Sequence, residues 1–371
     1  MNLVQNSFAQ LEISYPNLLH NYNYFRSKLK STTKLLILIK ANSYGHGAIE
    51  FADAMEQAGV DYFAVAHPIE GIELRRGGII QTPIMILTAG NDYFKDITEY
   101  ELEPAVPNIE NLLAFNEYLK KHHINKYPIH INLDTGMHRL GFMEKELPVL
   151  LNFLQQADNH MYIKSLFTHL AASDEPQHDA FTREQVALYH KLADAIISVL
   201  GYSPMRHVLN SAGIERFPQY QMDMVRLGIG IYGISAVEEL LLKPAAALTC
   251  DILQIKTLTS ADGTVGYGRH GKLEGGERKI ATLPLGYADG INRHLGCGNA
   301  KFMLNGHLVP SIGNICMDMF MIDVTGVDAK IGDTVTIFGE KPTARELAKI
   351  LDTIPYEIFT SVSRRVKRIV R

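Results

Sequence analysis

A lysine that closes an apolar run is the residue in this chain best placed to do chemistry. In Leu35–Ala48, LLILIKANSYGHGA, the run stops at Lys40 and small, turn-forming residues follow at once. A short unbroken apolar run bounded by turn residues suits a strand buried on both faces. Lys40 then falls at the strand's C-terminal end, where α/β sheets carry their chemistry. Desolvation at such an edge disfavours the ammonium, and a neutral amine can form a Schiff base with a carbonyl cofactor. A lysine there can equally carry its charge out to water along its stem. The glycines of Tyr44–Gly45–His46–Gly47 weigh toward the first reading, because they let backbone approach a ligand closely.

Other polar residues fall at the ends of further apolar runs. In DTGMHRLGF a glycine-rich loop carries Arg139, which can fork onto a carboxylate or simply lie at the surface. His169 closes FTHL, where a hydrogen-bonded core histidine is the commoner outcome. Arg226 sits among apolar neighbours in MVRLG, and a buried arginine needs a partner, an internal ion pair being the plain alternative to a ligand. Asn210–Ser211 and Gly228–Ile229 end the last two runs, where barrels bind phosphate with backbone N–H groups and a hydroxyl. Tyr267, between two glycines in GYGRH, reads by itself as a surface aromatic.

The elements that must position these residues repeat. Apolar runs at Leu35–Lys40, Tyr62–Ala66, Pro83–Leu87, Glu103–Val106, Pro128–Asp134, Ile163–Leu170, Arg206–Asn210 and Met224–Gly233 alternate with amphipathic segments such as Ile49–Gln57, Ile109–Lys121 and Thr182–Leu200. Eight such strand–helix repeats predict a parallel (β/α)8 barrel. After Gly233 the pattern changes to short strands divided by Gly, Asp and Asn turns, from Leu248–Thr257 to Thr334–Phe338, which predicts a mainly antiparallel β domain. The expected division is a barrel over residues 1–240 and a β domain over 241–371, with a hinge near Ser235–Pro244. The strand at 9–14 is a candidate to pack with the second domain.

Composition narrows the class. With 371 residues, 46% of them hydrophobic and 20% charged, the chain can fill two cores. A formal net charge of −4 gives no electrostatic reason to expect nucleic acid or an anionic membrane as partner. There is no run of eighteen apolar residues and no visible signal peptide at the start. Cys250, Cys297 and Cys316 are odd in number and show no zinc spacing, so no metal site is expected and they read as reduced thiols of a cytoplasmic protein.

The Lys40 phrase, DTGMHRLGF, FTHL, MVRLG, GYGRH, LPLGYADGINR and GNICMDM together resemble, in order and spacing, the motifs of the alanine racemases, pyridoxal-phosphate enzymes built of a barrel and a β domain. The resemblance runs from Lys40 to Tyr356. It implies pyridoxal phosphate on Lys40, with Lys40 serving the D face of alanine and Tyr267 the L face as the two acid–base groups. Arg139 and the backbone N–H of Met317 would bind the substrate carboxylate. His169 would lie near the cofactor ring and, backed by Arg226, supply a positive or hydrogen-bonding environment for the Tyr267 phenol. Tyr44, Ser211, Gly228, Ile229 and Tyr356 would hold the phosphate. Arg226 would face the pyridine nitrogen, keep it unprotonated and so favour racemisation over transamination. Asp174, Tyr287, Arg293 and Asp318 match supporting and entrance positions. The resemblance further implies a homodimer whose active sites are shared between subunits, and D-alanine made for peptidoglycan.

Two residues depart from the family pattern. Asn132 stands where many racemases have a carbamylated lysine, so either a chloride near Asn132 or a direct hydrogen bond to Arg139 is expected. Asn314 replaces an arginine common in the family, which would alter the entrance. A related racemase acting on serine, a decarboxylase and a non-enzymatic cofactor carrier are the competing readings. Arg226 disfavours the decarboxylase, and the β domain with Tyr267 disfavours the carrier.

Overall fold

The computed structural model describes residues 6–156, 158–238 and 241–371. Among these, the chain forms two compact units. One comprises Leu19–Ser43 and Ala48–Lys243; the other comprises the N-terminal segment up to Leu18, Tyr44–Gly47 and Pro244–Arg371. Two residues of the expected hinge, 239 and 240, lie outside the described residues.

The first unit is the barrel. Its strands are β2 (Lys34–Leu38), β3 (Tyr62–Val65), β4 (Ile84–Ile86), β5 (Glu103–Val106), β6 (Tyr127–Asn132), β7 (Met161–Phe167), β8 (Met205–His207) and β9 (Met224–Leu227). They form one parallel sheet in the order β8-β7-β6-β5-β4-β3-β2-β9. Between β8 and β9 the ladder is replaced by two separate bonds, from Asp223 N–H to the Arg206 carbonyl (3.1 Å) and from Arg226 N–H to the Leu209 carbonyl (2.9 Å). The barrel is therefore nearly closed. Strands β3, β4, β5 and β9 are buried at every residue, which is why their sequences run apolar rather than alternating. Helices such as Ala48–Gln57, Ile109–Lys121 and Asp179–Leu200 alternate with them.

The second unit is built on a nine-stranded sheet. To β1 (Asn6–Ile13) it adds β10 (Ala246–Asp251), β11 (Gln254–Leu258), β14 (Arg278–Leu283), β15 (Lys301–Leu304), β16 (His307–Ile312), β17 (Phe320–Asp323), β18 (Thr334–Phe338) and β19 (Val366–Val370); β12 (Thr264–Val265) and β13 (Gly271–Lys272) pair separately. All these pairings are antiparallel except β1 with β19. β1 lies between β10 and β19, placing Leu11 opposite Leu248 and Arg368.

Several expected strands stop before their apolar runs do, and one run is split in two. Met224–Gly233 leaves the sheet after Leu227 and closes into a tight helical turn over Ile229–Tyr232, ending at Gly233 with φ +99°. Leu248–Thr257 is interrupted at Ile252–Leu253, which separates β10 from β11. Buried residues stay apolar whether the backbone turns or extends, so the run alone does not mark where a strand stops.

Candidate active site

Lys40 lies two residues beyond the end of β2, and the next four residues turn the wrong way for L-amino acids. Ala41, Asn42, Ser43 and Tyr44 have φ of +52°, +54°, +56° and +51°, a left-handed turn made without glycine. Each residue in that conformation costs about 1–2 kcal/mol, so neighbouring groups must hold it. The Glu70 carboxylate accepts the Ala41 N–H (2.6 Å) and, with its other oxygen, the N–H groups of Ala66 and His67 (2.8 and 3.0 Å). Asn42 Oδ1 accepts the Ala48 N–H (3.0 Å). The Ser43 hydroxyl meets Tyr232 Oη (2.8 Å), which itself donates to the Leu38 carbonyl (3.0 Å). Sequence reasoning missed Glu70, whose role depends on the turn it ties down.

The half-buried Lys40 amine has a pKa below the ordinary lysine value. Burial is the main cause, the Arg139 charge adds to it, and Glu70 opposes both. Arg139 sits on the loop after β6. Asp134 Oδ1 shapes that loop by accepting the N–H groups of Gly136 and His138 (each 3.0 Å). Gly136, at φ +133°, leaves no room for a side chain, since a Cβ would fall 2.9 Å from Phe181. The Arg139 guanidinium is exposed and, among the described residues, makes no hydrogen bond or ion pair. Asn132 ends β6, and among the described residues no hydrogen bond joins it to Arg139, so of the two alternatives the direct bond is not met. The Asn132 side chain packs instead against Gly141, where a Cβ would lie 3.0 Å from it.

His169 follows β7. Its pKa is pushed down to about 3, by burial first and then by the charges of Arg226, Arg139 and Lys40. Of the positive or hydrogen-bonding environment expected from His169, only the hydrogen bond is left to it. It is a neutral imidazole surrounded by cations, and it can offer a hydrogen bond but not a charge.

Arg226, on β9, is buried, and among the described residues it makes no internal ion pair, the alternative to a ligand contact. Nη1 donates to His207 Nδ1 (2.8 Å) and the His207 carbonyl (3.1 Å); Nη2 donates to the carbonyls of Thr168 (2.6 Å) and Val208 (3.1 Å). All four acceptors are neutral. Nε–H has no protein acceptor among the described residues, so a buried cation keeps one donor in reserve. Burial lowers the Arg226 pKa to about 10, which still leaves the group charged at neutral pH.

The loops after β8 and β9 meet at Ser211, whose buried Oγ accepts the N–H groups of Gly228 (2.8 Å) and Gly230 (3.3 Å). Asn210 does not point into this cradle. Its Oδ1 caps the helix Ser211–Arg216 through the Gly213 N–H (2.9 Å) and accepts from Ser173 Oγ (2.7 Å). Asp174, beside Ser173, is exposed.

In the second unit the Tyr44 and Tyr356 rings lie 5.7 Å apart. Burial raises the Tyr44 pKa, so its phenol stays protonated and can donate. Tyr267 is 74% exposed, and its carbonyl accepts from Asn314 Nδ2 (2.8 Å). Asn314 therefore steadies the Tyr267 turn in addition to changing the local charge. Tyr267, Tyr287 and Arg293 share the wall of one cavity of about 830 Å³ with Cys316 and Ile315. The Met317 N–H makes no hydrogen bond among the described residues. Asp318 is held by Arg365 Nη2 (2.6 Å), while Arg365 Nε reaches the buried Asp289 (2.6 Å). Arg365, a bridge between two carboxylates, carried no sequence signal.

A nucleophilic amine beyond the C-terminal end of a barrel strand, set among unspent cationic and N–H donors, defines an α/β-barrel enzyme for anionic ligands. Comparison with known proteins makes the class specific. The model for the N-terminal domain of alanine racemase matches residues 13–236, and that for the C-terminal domain matches residues 245–370. The alanine racemase of Clostridium kluyveri is 38% identical over 372 residues, covering 96% of this chain and 93% of its own. That of Treponema denticola is 36% identical over 375 residues and covers 96% of each. Among solved structures, alanine racemase of Clostridium difficile 630 matches with a TM-score of 0.91 at 34% identity, over 99% of this chain and 96% of that one. Alanine racemase of Bartonella henselae, solved with covalently bound pyridoxal phosphate, matches with a TM-score of 0.88 at 27% identity, over 99% of this chain and 100% of that one. The chain belongs to the alanine racemase family. Among its described residues no helix is long and apolar enough to cross a membrane.

Proposed function

We propose that this chain is a pyridoxal-phosphate-dependent alanine racemase that interconverts L- and D-alanine with Lys40 and Tyr267 as its two acid–base groups. The observation that carries the reading is Arg226, a buried guanidinium bonded only to neutral acceptors with Nε–H unspent. Such a donor fits an uncharged pyridine nitrogen, because arginine keeps its own proton. The Ser211 cradle fits a phosphate, which by the family resemblance Tyr44 and Tyr356 would also hold, and the depressed Lys40 amine fits a carbonyl.

When bound, pyridoxal phosphate draws electrons from the carbon bearing the substrate amine and makes its hydrogen removable. Inverting that carbon requires a proton to leave one face and another to arrive on the opposite face. Lys40 is assigned the D face, since burial and the Arg139 charge lower the pKa of its amine and make it more available as a base. Tyr267 is assigned the L face. Arg139 and the Met317 N–H, both unspent, would fix the substrate carboxylate so that only the hydrogen faces change. His169 stays neutral, so it orients by a hydrogen bond and does not compete as a base. By keeping its own proton, Arg226 would leave the pyridine nitrogen uncharged, which would favour racemisation over amino-group transfer. Asp174, Tyr287, Arg293 and Asp318 are proposed to shape substrate entry, and Asn132 to adjoin a chloride next to Arg139. A homodimer in which a second copy supplies Tyr267 and Met317 accords with their exposure. The D-alanine formed would serve peptidoglycan synthesis.

Borohydride reduction followed by peptide mapping tests the assignment: the phosphopyridoxyl adduct should fall on Lys40, and an adduct elsewhere overturns it. Single enantiomers of alanine and serine, followed by circular dichroism, test the substrate. No interconversion of alanine would refute the reading.

A further inference from the structure

The barrel interior holds a line of buried polar residues that the chemistry above uses only at its Arg226 end. It crosses five neighbouring strand positions, from Arg226 on β9 to Glu103 on β5. His207 Nδ1 receives Arg226 Nη1–H (2.8 Å), and His207 Nε2 meets Ser165 Oγ (2.8 Å). Ser165 Oγ meets His130 Nδ1 (2.6 Å), and His130 Nε2 meets Glu103 Oε2 (3.1 Å). His207, Ser165 and His130 have no exposed surface. Lys164 Nζ (2.6 Å) and Tyr62 Oη (2.9 Å) complete the Glu103 carboxylate, one on each oxygen.

The direction of every bond in this line follows from its two ends. Arginine only donates, so His207 Nδ1 accepts and its proton sits on Nε2. Ser165 then accepts from His207, and its single hydrogen goes to His130 Nδ1. That leaves His130 Nε2–H to donate to a carboxylate, which only accepts. The opposite arrangement would bury a hydroxyl hydrogen without an acceptor. Burial would raise the Glu103 pKa, but hydrogen bonds from His130 and Lys164, together with the Lys164 charge, outweigh it and hold the carboxyl at about 2. With Arg226 at about 10, a proton does not travel the line, and its use is orientation.

We propose that Glu103, acting through His130 and Ser165, is a positioning residue for the racemisation: it locks the hydrogen-bond direction so that His207 can only accept and Arg226 keeps its Nε–H for an uncharged ring nitrogen. This rests on the function proposed above. Without the lock, His207 is free to take the Nδ1–H form and release Nη1, which lets the guanidinium turn.

The test compares Glu103→Gln, whose amide can accept or donate, with Ser165→Ala, which cuts the line, and Ser165→Thr, which restores the hydroxyl. Imidazole 15N NMR of the holoenzyme should show only Nε2–H for His207 in the native chain. A measurable Nδ1–H population should appear in S165A and E103Q and vanish in S165T. With cofactor loading matched, the fraction of turnovers ending in pyruvate and the amine form of the cofactor should rise about tenfold in S165A, as for the loss of one ordinary hydrogen bond, while KM for alanine stays put. An unchanged His207 tautomer in S165A, or a changed tautomer with an unchanged partition, overturns the proposal. If E103Q does not fold, the Ser165 pair decides alone. The tautomer is read without turnover, so its failure is distinct from an adduct mapping away from Lys40.

Discussion

Replacing Glu70 by glutamine probes how the Lys40 turn is held. Four non-glycine residues in left-handed conformation store about 4–8 kcal/mol at about 1–2 kcal/mol each. Glu70 opposes this strain with three bonds from backbone N–H groups, at 2.6, 2.8 and 3.0 Å. A hydrogen bond to a charged acceptor contributes about 1.5–3 kcal/mol. In Glu70→Gln one oxygen becomes an amino group facing either Ala41 N–H or the Ala66–His67 pair, so one or two bonds are lost and a donor faces a donor. A local destabilisation of about 2–3 kcal/mol follows, or about 30–150-fold in the opening equilibrium. Hydrogen exchange of the amides of residues 41–48, measured on the holoenzyme, should accelerate by that factor, while β6 and β7 exchange as before. Equal protection in the native chain and the variant would refute the idea that Glu70 maintains the turn.

Three further perturbations have definite outcomes. His169, pushed down to about 3 from an ordinary value of 6.5, binds its proton more weakly when folded than when unfolded. Its share of stability is therefore present above pH 6.5 and is lost as pH falls toward 3; denaturant titrations should show a shallower acid loss in His169→Asn. Arg226→Lys should bind pyridoxal phosphate more weakly and shift its absorption spectrum, because an ammonium cannot reach four acceptors and a fifth partner together; an unchanged spectrum at full loading would count against the pyridine assignment. Gly45→Ala places a Cβ 2.1 Å from the Phe359 carbonyl oxygen at φ +84°, so it should lower Tm by well over the several degrees that a loss of about 1 kcal/mol brings.

The barrel was legible because its strands are buried on both faces. Glu103–Val106, only four residues long and containing a proline, still reads as a strand since all four residues are covered. Lys40, Arg139, His169 and Arg226 stood out because each interrupts or ends an apolar run. Their states did not follow from that pattern. His169 read as a source of charge or of a hydrogen bond, and its neutrality comes from burial first and then from Arg226, Arg139 and Lys40, which gather around it from distant parts of the chain. The partners of Arg226 were equally hidden, since three of its four acceptors are backbone carbonyls, which every residue carries.

The sequence alone determined the eight-fold repeat, the change to β structure after Gly233 and the order of the chemically able side chains, because hydrophobic periodicity and turn residues are local properties. Tertiary structure alone decided the left-handed path after Lys40, the place of β1 between β10 and β19, and the buried line from Arg226 to Glu103. Each depends on groups far apart in the chain meeting at hydrogen-bond distance. A polar residue's type shows what it can donate or accept, and only the folded chain shows to whom.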